Sequence, residues 1–335
     1  MRSRGPISIA LICAVVACTG YDRQSVLDPA SPHAAATRQL FYFMVAVSAV
    51  TYILVVGALF AVIRNRRYAT DDPVSPGRHE RAERSVKLAV LVVVPVLFLF
   101  LLYNFAVARN VNRMPDGPLL TIDVTGHQWW WEVAYEDPVP HNIVRTANEI
   151  HIPVGQTVMI KLASHDVIHS FWVPNLSGKK DLLPGHKDAL WIRADKPGIY
   201  RGQCAEFCGL EHAKMALFVV AEPAADFTKW IEHQREPAPT PADSLAAKGQ
   251  VVFETGPCAM CHTVASTRAA ATVGPDLTHV ASRMTLAAGT LPNTRGNLGG
   301  WIVDPQTIKP GAKMPANSLE PKDLQALLAY LGTLR

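Results

Sequence analysis

No sign of charge dominates this 335-residue chain: 32 Lys and Arg stand against 28 Asp and Glu, a formal net charge of +4. That balance argues against the basic footprint of a nucleic-acid-binding protein. A hydrophobic fraction of 49% argues against disorder. Cysteine is also scarce, and none is spare. Cys13 and Cys18 lie near the start, Cys204 and Cys208 share one short stretch, and Cys258 and Cys261 fall in C-x-x-C-H. No pair is left over for a structural disulfide.

What the chain has instead is clustered apolar residues. Arg2 and Arg4 precede a run over residues 7–17, too short to span a bilayer. Residues 1–18 therefore read as a signal peptide. Small residues before Cys18 resemble a bacterial lipobox, which would make Cys18 the lipidated first residue; ordinary cleavage and an uncleaved anchor are the alternatives. Residues 21–36 are polar and Pro-rich and read as an extended lead-in.

Residues 40–63 and 86–108 each meet the roughly 20 apolar residues that a helix needs to cross the hydrocarbon core. They form a transmembrane hairpin over residues 38–110. Pro95 sits inside the second span, where membrane helices tolerate it. The connecting loop carries Arg64, Arg66, Arg67, Arg78, Arg81, Arg84 and Lys87. By the positive-inside rule it is cytoplasmic, which puts the large C-terminal part outside.

From residue 119 to about 221 the chain alternates short apolar runs with turn signals at Gly155, Pro184-Gly185 and Pro197-Gly198. The spacing predicts an antiparallel β-sandwich or barrel. Near its end, Cys204, Glu206, Cys208, His212 and Met215 fall within a dozen positions, and His169 lies upstream in His-Ser-Phe-Trp-Val-Pro. Thiolate, imidazole and thioether donors suit copper or zinc, and the thioether tips the choice toward copper. A Cys204–Cys208 disulfide is the alternative, and it leaves the ordered His and Met unexplained.

The pattern C-x-E-x-C-G-x-x-H-x-x-M after H-S-F-W-x-P resembles the copper A site of subunit II of haem–copper cytochrome c oxidases. The resemblance implies a cupredoxin domain, assigned residues 115–232, with a dinuclear copper centre. In that family Cys204 and Cys208 would bridge both ions, and His169 and His212 would cap one each. Met215 and the Glu206 carbonyl would be weak ligands, and the Glu206 carboxylate would reach a magnesium ion at the contact with subunit I. The stretch Gly126-His-Gln-Trp-Trp-Trp resembles the family's aromatic segment. There Trp129 would lie over the copper and take in electrons. In a strand Trp129 and Trp131 would share a face, with Trp131 left to packing. Asp166 reads as a partner of the site or as a docking acid. His127, His141, His151, His165 and His186 read as structural or solvated.

Residues 233–244 hold prolines at every second position and predict an extended spacer, a tether with no fixed interface of its own. Residues 245–335 then carry Cys258, Cys261 and His262 as C-x-x-C-H, the haem c attachment signal. A zinc or thioredoxin-like pair would use the same motif. Gly274-Pro-Asp-Leu and Lys309-Pro-Gly-Ala-Lys-Met-Pro follow at spacings that resemble class I cytochromes c. That resemblance makes His262 and Met314 the axial ligands, a pairing that raises the haem potential. Met260 and Met284 are rival thioethers, and His279 reads as surface or packing.

The whole resembles a caa-type oxidase subunit II: transmembrane hairpin, all-β cupredoxin domain and all-α class I cytochrome c domain. The resemblance implies an oxidoreductase subunit in a bacterial inner membrane, with both domains on the outer side. Haem c would accept electrons from a cytochrome c donor and pass them to copper A, then to haem a in subunit I, where O₂ is reduced. Subunits I and III would be its partners. A nitric oxide reductase subunit with the same ligands is the alternative. One departure from the family stands out: Leu88 occupies the place of a Glu at the mouth of a proton channel, which puts proton uptake through this subunit in doubt. Charge adds an inference. Residues 115–236 hold 11 basic and 16 acidic residues, and 237–335 hold 8 and 6. Unlike signs favour transient docking of the haem module over Trp129.

Overall fold

A computed structural model describes residues 24–65, 76–113 and 120–335. The leader, with Cys18, and the loop arginines Arg66 and Arg67 lie outside the described residues. The chain divides into two compact units, one of residues 35–115 and one of the remainder.

Two long helices dominate the first unit: α1, Pro32–Asn65, and α2, Pro76–Asn112. At 1.5 Å per residue, α1 is about 50 Å long, more than the hydrocarbon core requires. Apolar side chains point outward along both, with Tyr52, Ile53 and Leu54 among the most exposed. So large an apolar surface is stable only in lipid or against other membrane helices. Phe43 of α1 meets Phe100 and Tyr103 of α2, with ring centroids 5.8 and 5.3 Å apart. Pro95 cannot donate to the carbonyl four residues earlier, yet α2 continues through it. Leu88 is exposed on the same helix.

The lead-in is not free. Ala30 N–H donates to Asn175 O and Ser31 Oγ to Leu176 O, which ties the segment to the second unit. Ser31 Oγ also accepts from Ala34 N–H and so caps α1.

The second unit opens with ten strands: β1 Leu120–His127, β2 Trp130–Tyr135, β3 Val144–Ala147, β4 Glu149–Pro153, β5 Val158–Ser164, β6 His169–Trp172, β7 Lys180–Leu182, β8 Asp188–Ile192, β9 Gly198–Cys204 and β10 Ala216–Glu222. They form two five-stranded sheets, β3-β2-β1-β5-β8 and β4-β10-β9-β6-β7. Alternate residues of β1 and β10 point inward, as a two-sheet core requires. Ile122, Val124, Trp131, Ile160, Phe171 and Leu217 are fully buried there. The expectation of a wholly antiparallel sandwich is corrected: β1 pairs with β5, and β4 with β10, in parallel. Long excursions separate the members of each pair, which is what parallel neighbours need.

A second correction concerns the three tryptophans. His127 pairs with Trp130 across a two-residue turn, so Gln128 and Trp129 are the turn and Trp129 does not share a strand face with Trp131. Trp131 is fully buried, edge-on to Phe171. Trp130 stacks on His127, with centroids 4.4 Å apart.

Helix α3, Ala224–Gln234, follows the sandwich and lays Trp230 flat on His151, 4.0 Å between ring centres. It reaches two residues into the Pro-rich stretch. That stretch is anchored at its flank: Arg235 pairs with Asp137 at 2.9 Å, and Glu236 O faces His279 Nε2 at 3.2 Å. The expectation of a tether without an interface is thereby overturned. The prolines stiffen the spacer, but their neighbours carry the anchors.

Helix α4, Ser244–Thr255, begins the last module, with Asp243 capping it through Ala246 N–H. It packs on α7, Pro321–Leu331, through Phe253 and Tyr330. Helices α5, Arg295–Val303, and α6, Pro305–Ile308, complete the module with a minimal ladder of β11, Thr285–Leu286, and β12, Leu291–Pro292. His279 is buried and hydrogen-bonded to Arg335 O, a packing role.

Candidate metal centres

The loop between β9 and β10 delivers the first donor set. Cys204 ends β9, Cys208 lies in the loop, and His212 opens a single 3₁₀ turn, His212–Lys214, that puts Met215 just before β10. His169 starts β6, whose neighbour is β9. The donors converge. Cys204 Sγ lies 3.7 Å from Cys208 Sγ and 3.9 Å from His169 Nδ1. Cys208 Sγ lies 3.6 Å from His212 Nδ1 and 3.8 Å from Met215 Sδ. The Glu206 carbonyl is 3.2 Å from Cys204 Sγ. The sulfurs are not bonded to each other.

Several features hold this set in register. Gly126 on β1 is required, because a Cβ there would fall 2.8 Å from the His169 ring. Asp166 Oδ1 lies 2.9 Å from His169 Nε2, which leaves Nδ1 toward the sulfurs. Burial alone would raise the Asp166 carboxyl. Hydrogen bonds from His169, the Gln128 and Val167 amides and Lys313 outweigh it and hold the group well below the usual carboxylate range. The same carboxylate is therefore both a partner of the site and a docking acid. The Cys204 thiol is held down to about 4, first by its bond with Cys208 and then by His169 and backbone amides. Cys208 is pushed up by that same bond. A soft cation binds such thiols as thiolates.

Trp129 covers the loop. Its Nε1 donates to Cys208 O at 3.0 Å, and Gln128 Nε2 donates to the same oxygen at 2.8 Å. Sequence reasoning singled out Trp129 and missed Gln128, whose amide gives no signal until the turn places it.

The second donor set lies in the last module. Cys258 begins to be raised by burial and sits with Met260 in the 3₁₀ turn Pro257–Met260; Cys261 and His262 follow. His262 Nδ1 faces Pro275 O at 2.8 Å, so Nε2 is the nitrogen left for iron. Burial lowers the imidazole's pKa and keeps it neutral. Gly274 is again forced, since a Cβ there would lie 2.6 Å from the His262 ring. Met314 is partly buried against this module's core, while Met260 is 69% exposed and turned away. Met284 gives its N–H to Glu149 on the sandwich. Both donor sets thus fit the groups their motifs imply.

The profile of the cytochrome c oxidase subunit II periplasmic domain matches residues 120–222, and that of cytochrome c matches 246–335. Cytochrome c oxidase subunit 2 of Alkalihalophilus pseudofirmus is 33% identical over 98% of this chain and 96% of its own. The chain belongs to the cytochrome c oxidase subunit 2 family. It is the form with a fused cytochrome c domain, part of an oxidoreductase complex with other oxidase subunits. The Bacillus subtilis subunit 2 is 29% identical over 82% of each chain. The solved periplasmic domain of Bradyrhizobium japonicum CoxB is 31% identical, covering 36% of this chain and 97% of that one, with a TM-score of 0.34. The subunit II domain implies copper A, and the cytochrome c domain implies haem c. With its two apolar helices, the chain is a membrane protein with an extracellular domain.

Other groups escaped the sequence. His151 is buried between Glu222 at 2.9 Å and Glu149 at 3.2 Å. Its periodicity fitted any core strand, and although Glu149 is two residues away, Glu222 is brought in only by the pairing of β4 with β10. Lys309 is also buried; the sequence names it only as the first residue of the segment that leads to Met314.

Proposed function

We propose that this chain is the electron-input subunit of a terminal oxidase in a bacterial inner membrane. Electrons would enter from a cytochrome c donor at haem c, pass to copper A, and leave for haem a in subunit I. There O₂ is reduced; subunit III completes the complex. When bound, the paired coppers and the haem supply one-electron redox chemistry and no proton transfer.

The chain's own residues do the rest. Cys204 and Cys208 would hold the copper pair together with His169, His212, Met215 and the Glu206 carbonyl, and Cys258, Cys261, His262 and Met314 would hold the haem. Rigid support for these ligands keeps reorganisation small. Asp166 fixes the ring of His169, and Trp129 with Gln128 fixes the Cys208 carbonyl. The Glu206 carboxylate has no protein partner among the described residues and is the group we assign to magnesium at the subunit I contact. Cys18, outside the described residues, remains our candidate for lipidation.

The observation that carries this reading is the position of Trp129. Its indole is bonded to the Cys208 carbonyl, and Gly311, three residues before Met314, lies against the ring; a Cβ there would be 3.7 Å from it. Trp129 is then the relay between the two centres.

The test is gas consumption by the purified complex with reduced cytochrome c. O₂ uptake is expected; NO uptake without O₂ uptake would assign the chain to a nitric oxide reductase. Leu88 adds a second readout: proton uptake should not respond to Leu88→Ala.

A further inference from the structure

Between the two metal-binding modules lies an interface that neither motif requires. At its centre is Lys309, 3% exposed, in the loop that leads to Met314. Its ammonium donates to three carbonyls on three segments: Trp129 O at 2.7 Å, Lys214 O at 2.7 Å and Ala287 O at 3.2 Å. Buried charges are retained where such partners hold them. Here the partners are carbonyls, and burial draws the amine's pKa down to about 7, so what the contacts supply is a geometric clasp.

The three carbonyls have meaning in the site. Trp129 is bonded to Cys208. Lys214 immediately precedes Met215. Lys214 Nζ returns a bond to Ile308 O at 2.7 Å, and Ala216 N–H, on the other side of Met215, donates to Ala288 O at 3.0 Å. Both neighbours of the thioether donor are therefore gripped by the haem module. The gripping loop is itself held in an uncommon shape, with φ of 52° at Ala287 and 57° at Ala288. Such backbone persists where surrounding contacts impose it. Lys313 closes the rim on Asp166 at 3.1 Å.

We propose that Lys309 is a positioning residue for haem-to-copper electron transfer, clasping the Met314 loop onto Trp129 and onto the backbone beside Met215. The fused module is on this account part of the copper centre's supporting shell, not a transient visitor. This rests on the functional reading above.

Lys309→Met keeps the length of the side chain and removes the ammonium. In the intact complex, with haem and copper content measured, haem-to-copper transfer after rapid haem reduction should fall by at least about tenfold, the scale of loss from a small misplacement. The copper hyperfine pattern should change through the Met215 segment. Lys248→Ala, which removes the haem module's surface pair with Asp323 and leaves the clasp intact, should leave that pattern as it was. An unchanged rate and hyperfine pattern in fully loaded Lys309→Met would overturn the proposal. Should that variant not assemble, Lys214→Met carries the test: it removes one bond of the clasp, and a smaller loss in the same direction is expected, while no loss overturns it. Wild-type complex that passes no electron from haem to copper would sink the functional reading instead, and the hyperfine comparison would still judge the clasp.

Discussion

The two metal-binding modules of this chain solve the same task with opposite amounts of regular structure. The sandwich places its donors from β6, β9 and one loop, over a core that closes through fully buried Trp131, Phe171 and Leu217 without any metal. The haem module has two long-packed helices, α4 and α7, and between them mostly turns: Pro257–Met260, Val280–Ser282 and a two-residue ladder. In the first, the protein builds the site and the metal fills it. In the second, residues 256–294 are held by turn and loop hydrogen bonds instead of long elements, with Val264, Val280 and Leu286 as their share of the core. A site on rigid strands is more precise, while a loop-built site needs its ligand to fold.

That contrast can be broken most directly by removing each cofactor's anchor. Cys258→Ala with Cys261→Ala should abolish the haem module's cooperative unfolding transition and leave that of the sandwich. Cys208→Ser should abolish the paired-copper near-infrared band while both modules still unfold cooperatively, as calorimetry of each variant would show. Loss of both transitions in Cys208→Ser would erase the distinction.

Next in size is the sandwich core. Trp131→Ala should cost about 3–5 kcal/mol, the usual range for a buried aromatic, read as a shift of the sandwich transition alone. A shift confined to the haem module would contradict the assignment of its packing.

Smaller, and pH-dependent, is the His151 cluster. Burial alone would lower the imidazole's pKa, but Glu149 and Glu222 outweigh burial and raise it above its ordinary 6.5. A raised histidine stabilises the folded form fully below pH 6.5, and the contribution fades as pH rises through the folded value. Glu149 Oε2 also accepts from Met284 N–H of the haem module, so the effect extends to the interface. Denaturation midpoints should fall as pH rises above 6.5 in the wild type and flatten in His151→Gln. A profile of equal steepness in both would remove His151 as the cause.

The smallest effect is expected at the rim. Lys313 is largely exposed, so Lys313→Ala should cost at most about 1 kcal/mol and only at low salt. A large, salt-independent loss would mean that the rim and not Lys309 carries the contact.

Cys204 to Met215 and Cys258 to His262 were legible because they lie close together and their types are chemically selective, whereas His169 stands 35 residues upstream of Cys204 and Met314 came from the resemblance. The fold brings His169, Cys204, Cys208, His212 and Met215 together, and the region read as a sandwich forms ten strands. The short strands β3 and β7 carry too few residues for a period to show. Parallel pairing depends on strand order, which alternation does not encode. The turn at Gln128 and Trp129 was hidden because Trp-Trp-Trp reads as an unbroken strand. Opposite net charges pointed to docking of the modules, yet the bonds that fix it are carbonyl contacts to Lys309, and backbone carbonyls leave no mark in a sequence.

The account depends on electrons reaching copper through the fused haem. The direct measurement is rapid single-electron reduction of the intact complex by reduced cytochrome c, following the haem c band and the near-infrared copper band together. Haem c should be reduced first, and its reoxidation should match copper reduction with one rate constant, independent of protein concentration. Copper reduced ahead of haem c, or two unmatched rates, would contradict it.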